Sequence, residues 1–438
     1  MTRKRSPAKK RRPLLAAFLS LAAPGLGQAY NGELVRGLVL ELGLGLAAVL
    51  YALRAYTDGS GDPLFFLAST AIVLSFVVFS IVQAFLKARR LGAAYVLKRS
   101  NRLFIYLAFP VLALFVSIVP AKLVEDHALA DISDWHPFRT AKAKEAYLRS
   151  YAAQEARLWP VAPETRVVAT SWGRTFVRIT GPADAPPLVL LHGANATSMM
   201  WAPNIKALSA VYRTYAPDNI YDMGRSVFTR RLKTPGDFAS WLDGLFDALG
   251  LGDHIVLVGQ SYGGWIAGQY LVRHPERLDK VVLLAPAATI EPFRTGFLGR
   301  GLLGQLPFRR FTLSMMDWLL GDLARSGEAG RGLIESYADH ICLGQRCFKP
   351  KSLVPPTLLT DRELGNIKVP TLFMAGENEK IFDPAKALAR LKRVAPQVRT
   401  ELIPHAGHDL TLVRADLVDR KILDFLSESA ERPRSLEK

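Results

Sequence analysis

HIVLVGQSYGGWIAGQYLVR, residues 254–273, decides the fold. His254 to Val258 is an apolar, β-rich run of buried-strand length, and the pairs Ile266/Tyr270 and Ala267/Leu271 then repeat at helical spacing. Between them lies Gly259-Gln260-Ser261-Tyr262-Gly263. Only a very tight turn joins a strand to a helix over so few residues, and glycines two before and two after the serine remove the Cβ atoms that would clash there. The serine is then held in a strained backbone with its hydroxyl projecting, beside the free N–H groups of the following helix. A Gly-x-Ser-x-Gly string alone also arises by chance or as plain packing. The strand before it and the helix after it make the catalytic reading the stronger one.

Composition says what surrounds this core. A chain of 438 residues suggests roughly two or three domains, and a mean hydropathy of +0.14 is high for a wholly soluble protein. The net charge of +17 is not a nucleic-acid signal. Residues 1–122 hold 16 Lys and Arg against 4 Asp and Glu, which accounts for +12 of it. The basic excess therefore flanks hydrophobic segments, where it orients membrane spans and meets anionic headgroups. Membrane lipid is the expected partner and nucleic acid is not.

Residues 1–12, MTRKRSPAKKRR, carry seven basic side chains and no acid, and read as a cytoplasmic tail. Three long apolar stretches follow, Leu34 to Leu53, Leu64 to Leu86 and Leu103 to Val119. Lys87, Arg89, Arg90, Lys98, Arg99 and Arg102 crowd the connection before the last stretch and keep it cytoplasmic. Parity then requires Leu14 to Tyr30 to dip in and return, or to lie at the interface. Everything after residue 122 falls on the external side. The expectation is a multi-pass protein of a bacterial inner membrane with a periplasmic catalytic domain. The stretch PGLGQAYNG, residues 24–32, resembles a Pro-Gly-x-Gly-Gln-x-Tyr-x-Gly turn of small bacterial membrane modules and implies nothing about activity.

Residues 123–163 read as a juxtamembrane connector. Within it, Ala141 to Leu158 is an amphipathic helix stopped by Pro160, expected to be solvated or membrane-lying. From Thr165 the pattern changes. Arg166 to Thr170 and Thr175 to Thr180 flank Trp172-Gly173 as a hairpin, and Leu188 to Leu191 is a third, fully apolar strand. Strands and helices then alternate to about residue 430, which predicts an α/β fold with a mostly parallel sheet after an all-α transmembrane region.

Together, the serine turn, the alternation and His192-Gly193 after the third strand resemble the α/β-hydrolase fold, over roughly residues 165–428. The resemblance implies that Ser261 is a nucleophile in an elbow and that the backbones of Ala194 and Tyr262 form an oxyanion hole. His192 orients its loop, and Asn195 stabilises it. Asp218 to Ser226, DNIYDMGRS, resembles the family's Asp-x-x-Gly-x-Gly-x-Ser loop, with Asp222 where glycine is usual; Asp218 and Asp222 read as structural.

The family places its acid three residues after the glycine that ends the strand Val369 to Ala375, which here is Glu379. Asp383 competes, but Asp383-Pro384 before AKALARL reads as an N-cap with proline at the first helical position. Glu291 is a third, lesser candidate. Pro404-His405-Ala406-Gly407-His408 resembles the base loop, with His408 as general base and His405 as a bystander. The order Ser261, Glu379, His408 is that of the fold.

These roles predict attack of Ser261 on an acyl carbon, an acyl-enzyme, and release by water, with no metal or organic cofactor. A serine elbow disfavours the aspartate-nucleophile branches, epoxide hydrolases and haloalkane dehalogenases. The resemblance is closest to serine hydrolases of the carboxylesterase and lipase type, acting on a small-molecule or lipid-like ester. Alternatives are a C–C bond hydrolase of the same fold and a catalytically silent membrane receptor or scaffold. An insertion at about 286–364 reads as a helical cap, and its Phe293, Phe297, Leu298, Leu302, Leu303, Phe308, Phe311, Met315, Met316 and Trp318 favour apolar acyl or aromatic esters. Cys342 and Cys347, on the expected external side, suggest a disulfide, with reduced buried thiols as the alternative.

Overall fold

The computed structural model describes residues 10–57, 63–92, 95–96, 105–112, 115, 119, 122–123, 136–351 and 353–428. The chain divides into two units, Met1–Ser133 with Lys349–Lys351, and Asp134–Phe348 with Ser352–Lys438.

In the first unit, helices Leu34–Thr57 and Pro63–Leu91 are long and apolar enough to cross a membrane. Of the third expected stretch, residues 105–112 are helical, and 103–104, 113–114 and 116–118 lie outside the described residues. Leu14 to Tyr30 is a helix, Pro13–Ala22, followed by a reversal and the short helix Leu26–Tyr30. Gly25 makes the reversal at φ 95°, where a Cβ would lie 2.2 Å from the Gly37 carbonyl oxygen. Buried polar groups then fix it. Gln28 Nε2 donates to the Ser80 carbonyl and to Gln83 Oε1, both at 2.8 Å, and Asn31 Nδ2 donates to the Ala84 carbonyl at 2.7 Å. Both ends of this excursion return to one end of the helix Pro63–Leu91. Arg11 N donates to the Gly92 carbonyl at 3.0 Å, and Lys87 pairs with Glu33 at 3.3 Å. Residues 11–33 therefore dip along that helix and come back.

In the second unit, nine strands form one sheet: β1 Glu164–Thr170, β2 Gly173–Thr180, β3 Pro187–Leu191, β4 Arg213–Pro217, β5 Val227–Phe228, β6 Ile255–Gln260, β7 Leu278–Leu284, β8 Thr371–Gly376 and β9 Arg399–Ile403. Their order is β1-β2-β4-β3-β6-β7-β8-β9, with β5 on β2. The hairpin β1-β2 and the β2-β4 and β2-β5 pairs are antiparallel, and every pairing from β4 through β9 is parallel. β6 and β8 are buried along their whole length, which is why they read as unbroken apolar runs rather than alternating ones.

The insertion after β7 folds into helices Thr295–Gly304, Arg309–Leu319, Gly321–Arg325 and Glu328–Cys347. Its aromatic residues pack mainly on one another. The Phe297 ring meets Phe293 at 4.8 Å and stacks on Trp318 at 6.4 Å, while Leu298 and Leu303 stay exposed.

The structure chooses between the two readings of the cysteine pair. Cys342 and Cys347 are free and buried. They sit on one helix five residues apart, about 7.5 Å along its axis, beyond the reach of a disulfide. The helix Ala141–Leu158 forms as expected, capped by Thr140, with an exposed face that carries Lys142, Glu145 and Arg149 and an opposite face that is buried. Tyr147 and Tyr151 are fully buried in a cluster with Phe138, Phe176, Met199 and Phe348. Tyr151 also enters a buried polar network: its hydroxyl donates to Asp218 at 2.9 Å and accepts from Arg178 at 3.0 Å, and Arg178 pairs with Glu155 of the same helix. An Arg178 taken wholly out of water needs such partners, and this helix supplies two of them.

Candidate active site

β6 delivers Ser261 into a left-handed backbone, φ 56° and ψ −118°, and the helix Tyr262–Leu271 begins at the next residue. The glycines around it are sterically required. A Cβ on Gly259 would lie 2.3 Å from the Gly263 carbonyl oxygen, and one on Gly263 would lie 2.3 Å from that of Leu191. The strained turn is tied down from both sides, by Ser261 N donating to the Leu284 carbonyl and by Ala287 N donating to that of Ser261, each at 2.9 Å.

The loop after β3 packs directly on the serine; a Cβ on Gly193 would sit 3.6 Å from Ser261 Oγ. His192, fully buried, fixes this loop, accepting from Asn219 N at 2.8 Å while its other ring nitrogen contacts the Gly193 carbonyl. Asn195 adopts φ 59°, and its N–H is shared between the two carboxylate oxygens of Asp222 at 3.1 Å. Asp222 thus holds the loop residue next to Ala194. Asp218 does a separate task, accepting from Ser198 N and Oγ and from Arg225 N. Tyr262 opens its helix, where a backbone N–H has no intrahelical acceptor.

The turns after β8 and β9 meet. His408 Nδ1 lies 2.9 Å from Glu379 Oε2, and both side chains are buried. The other oxygen of Glu379 accepts two backbone N–H groups, of Lys380 and Ile381, at 2.8 Å each. Burial by itself would depress the His408 pKa; the charge and hydrogen bond of Glu379, with the charge of Asp409, outweigh it and raise the pKa above the ordinary histidine value.

Asp383 and Glu291 are not brought to His408. Asp383 caps the helix Pro384–Val394 through Lys386 N at 3.2 Å and pairs with Arg294 at 3.2 Å. Glu291 does not line the cavity over Ser261, and neither does His405. Among the described residues, no group of three or more His, Cys, Asp or Glu side chains is gathered to hold a metal ion.

Ser261, His408, Ala194 and Gln260 all face one cavity of about 140 Å³. Met199, Met200, Met316, Leu319, Leu320 and Leu412 make most of it apolar. Of the cap residues singled out in the sequence, Met316 alone reaches it.

Several residues that build the site carried no sequence signal. Gln260 donates to the His408 carbonyl at 2.8 Å and accepts from Thr411 Oγ1 at 2.6 Å, tying the end of β6 to the loop of His408 across 148 residues. Asp409 accepts from Gly407 N at 3.0 Å and from Leu323 N of the cap at 2.7 Å. Gln154 and His340 form the far wall of the cavity from two helices distant in sequence.

Residues 188–420 match the alpha/beta hydrolase family. Carboxylesterase YbfK of Bacillus subtilis (strain 168) is 36% identical over 293 residues, covering 65% of this chain and 95% of the relative. An uncharacterized carboxylesterase, nap, of the same organism is 35% identical over 288 residues, 64% of this chain and 92% of the relative. The crystal structure of naproxen esterase from Bacillus subtilis, 34% identical, covers 66% of this chain and 99% of its own with a TM-score of 0.59. On fold, motif order and these relatives together, the chain belongs to the alpha/beta hydrolase family.

Proposed function

We propose that the protein is a membrane-anchored serine hydrolase that cleaves carboxylic esters with apolar acyl or aromatic groups. The observation that carries this is His408, backed by the buried Glu379 and facing the same apolar cavity as a strained Ser261. Relatives described as carboxylesterases support the bond type.

In this reading His408 Nε2 takes the Ser261 proton as Oγ attacks the carbonyl carbon. Glu379 accepts from His408 Nδ1–H, fixes the tautomer and stabilises the imidazolium. Its second oxygen is occupied by backbone N–H groups, which fix the orientation of the carboxylate. The N–H groups of Ala194 and Tyr262 receive the oxyanion, each such donor being worth about 3 kcal/mol. His408 then protonates the leaving alcohol, and a water activated by the same base releases the acid.

Helices Leu34–Thr57 and Pro63–Leu91 serve as the anchor, with the returning segment 11–33 placing Arg11, Arg36 and Lys87 at one membrane face. By the charge rule that face is cytoplasmic. Retention of the full chain in membranes after an alkaline carbonate wash tests the anchor. A panel of 4-nitrophenyl esters of graded acyl length tests the activity: turnover that rises from acetate toward medium chains, and disappears in Ser261→Ala, is the expected result. Preference for short, charged esters would contradict it.

A further inference from the structure

The cavity over Ser261 is small for any extended ester. Its 140 Å³ falls below the roughly 300–1,000 Å³ of small-molecule sites. A second cavity of about 460 Å³ lies between the helices Ala141–Leu158 and Glu328–Cys347, and it opens past the exposed residues Ala153, Arg157, Glu335 and Asp339. Gln154 and His340 face both cavities and are the partition between them.

The partition is polar but uncharged. Gln154 Nε2 donates to the Ser336 carbonyl at 3.1 Å, and its Oε1 accepts nothing from the described residues. His340 has Nε2 at 3.0 Å from Tyr147 Oη and Nδ1 at 3.2 Å from Ser150 Oγ. Burial pushes its pKa down to about 4, so it is neutral at physiological pH. At the rim the two acidic side chains are paired and the arginine is held by a hydroxyl. Asp339 and Glu335 pair with Arg309, and Arg157 donates to Ser336 Oγ.

We infer that the outer cavity is a polar extension of the substrate site, reached when Gln154 swings from Ser336 to the ligand, and that it takes the uncharged hydroxyl- or ether-bearing end of an acyl chain. The inference rests on the ester-hydrolase reading and adds to it the chemistry of the chain's far end. A ligand hydroxyl there finds the Oε1 of Gln154, whereas an alkyl end leaves that oxygen without a partner.

The test compares two 4-nitrophenyl esters of equal length, one with an all-alkyl acyl chain and one whose outer half is a glycol ether ending in hydroxyl, with the acetate as reference. Wild type should favour the glycol ester by about fivefold or more in kcat/KM. Gln154→Leu should bring that ratio to about one. Ala153→Trp, which fills the outer cavity, should lower both long esters relative to acetate. Each ratio is taken within one variant, so partial loss of folded enzyme cancels. A wild-type preference for the alkyl ester, or ratios unmoved in both variants, overturns the extension. Acetate turnover that disappears in Ser261→Ala reports separately on the ester reading; if acetate is not hydrolysed at all, that reading falls and the extension falls with it.

Discussion

The floor of the cavity over Ser261 and its far wall are built by different means. On the floor, Ser261, Glu379 and His408 stand on turns at the ends of β6, β8 and β9; backbone N–H and carbonyl groups fix the first two, and the Gln260 amide holds the carbonyl of the third. On the wall, Gln154 and His340 stand on two helices and are held by side-chain hydrogen bonds to Ser336, Ser150 and Tyr147. A site that must hold its geometry through a reaction is best placed on a strained, over-determined backbone, while a site that must admit varied chains is better served by side chains that swing. On the proposed function, the floor carries the reaction and the wall meets the far end of the substrate.

The largest effect should come from breaking the floor. Ser261→Ala or His408→Ala is expected to lower kcat/KM about 10⁴-fold or more without unfolding the protein, measured on a short ester beside a thermal melt. Glu379→Gln comes next, at about 10³–10⁴-fold, because the imidazole loses both its orientation and its counter-charge. The sign in pH follows. His408 works as a neutral base with a raised pKa, so kcat/KM should climb with pH through a single ionisation above the ordinary histidine value of about 6.5. Glu379→Gln removes the group that raises that pKa, so the residual activity should titrate at lower pH.

Disturbing the support of the wall should cost stability before chemistry. Arg178→Met leaves the partly exposed Glu155 without its partner and the buried Tyr151–Asp218 pair without its cation, and should destabilise by about 3 kcal/mol, read by chemical denaturation. Asp383→Asn tests the rejected acid. It weakens one N-cap and one surface pair, about 1 kcal/mol, and should leave kcat within a few-fold of wild type. The smallest effect is expected from reductant. With Cys342 and Cys347 free, dithiothreitol should not move Tm, where loss of a disulfide would cost about 2–4 kcal/mol.

The same division explains what the sequence revealed. β6 and β8 read as strands because burial on both faces makes them continuous apolar runs, and Gly259 and Gly263 are legible because no other residue fits between strand, helix and the β3 carbonyls. The choice between Glu379 and Asp383 was open to local reading, since Asp-Pro before a helical run is a capping signature. By contrast, the amphipathic helix Ala141–Leu158 specified a buried face but not what buries it. Its partners, Arg178, Asp218 and His340, lie from 27 to 193 residues away. Cys342 and Cys347 stayed open between a disulfide and free thiols for a related reason. Their spacing suits a disulfide only off a helix, and Glu328–Cys347 is a continuous one. Gln154 shows the limit most plainly, because nothing local marks a glutamine on a helix as the wall of a distant cavity.

The most direct test of the account is labelling of the detergent-solubilised full chain with a fluorophosphonate probe, in wild type, Ser261→Ala, His408→Ala and Asp383→Asn. The account predicts label on wild type and Asp383→Asn, with none on Ser261→Ala and little on His408→Ala. A folded wild type that takes no label, or a Ser261→Ala variant that labels as fast as wild type, would contradict it.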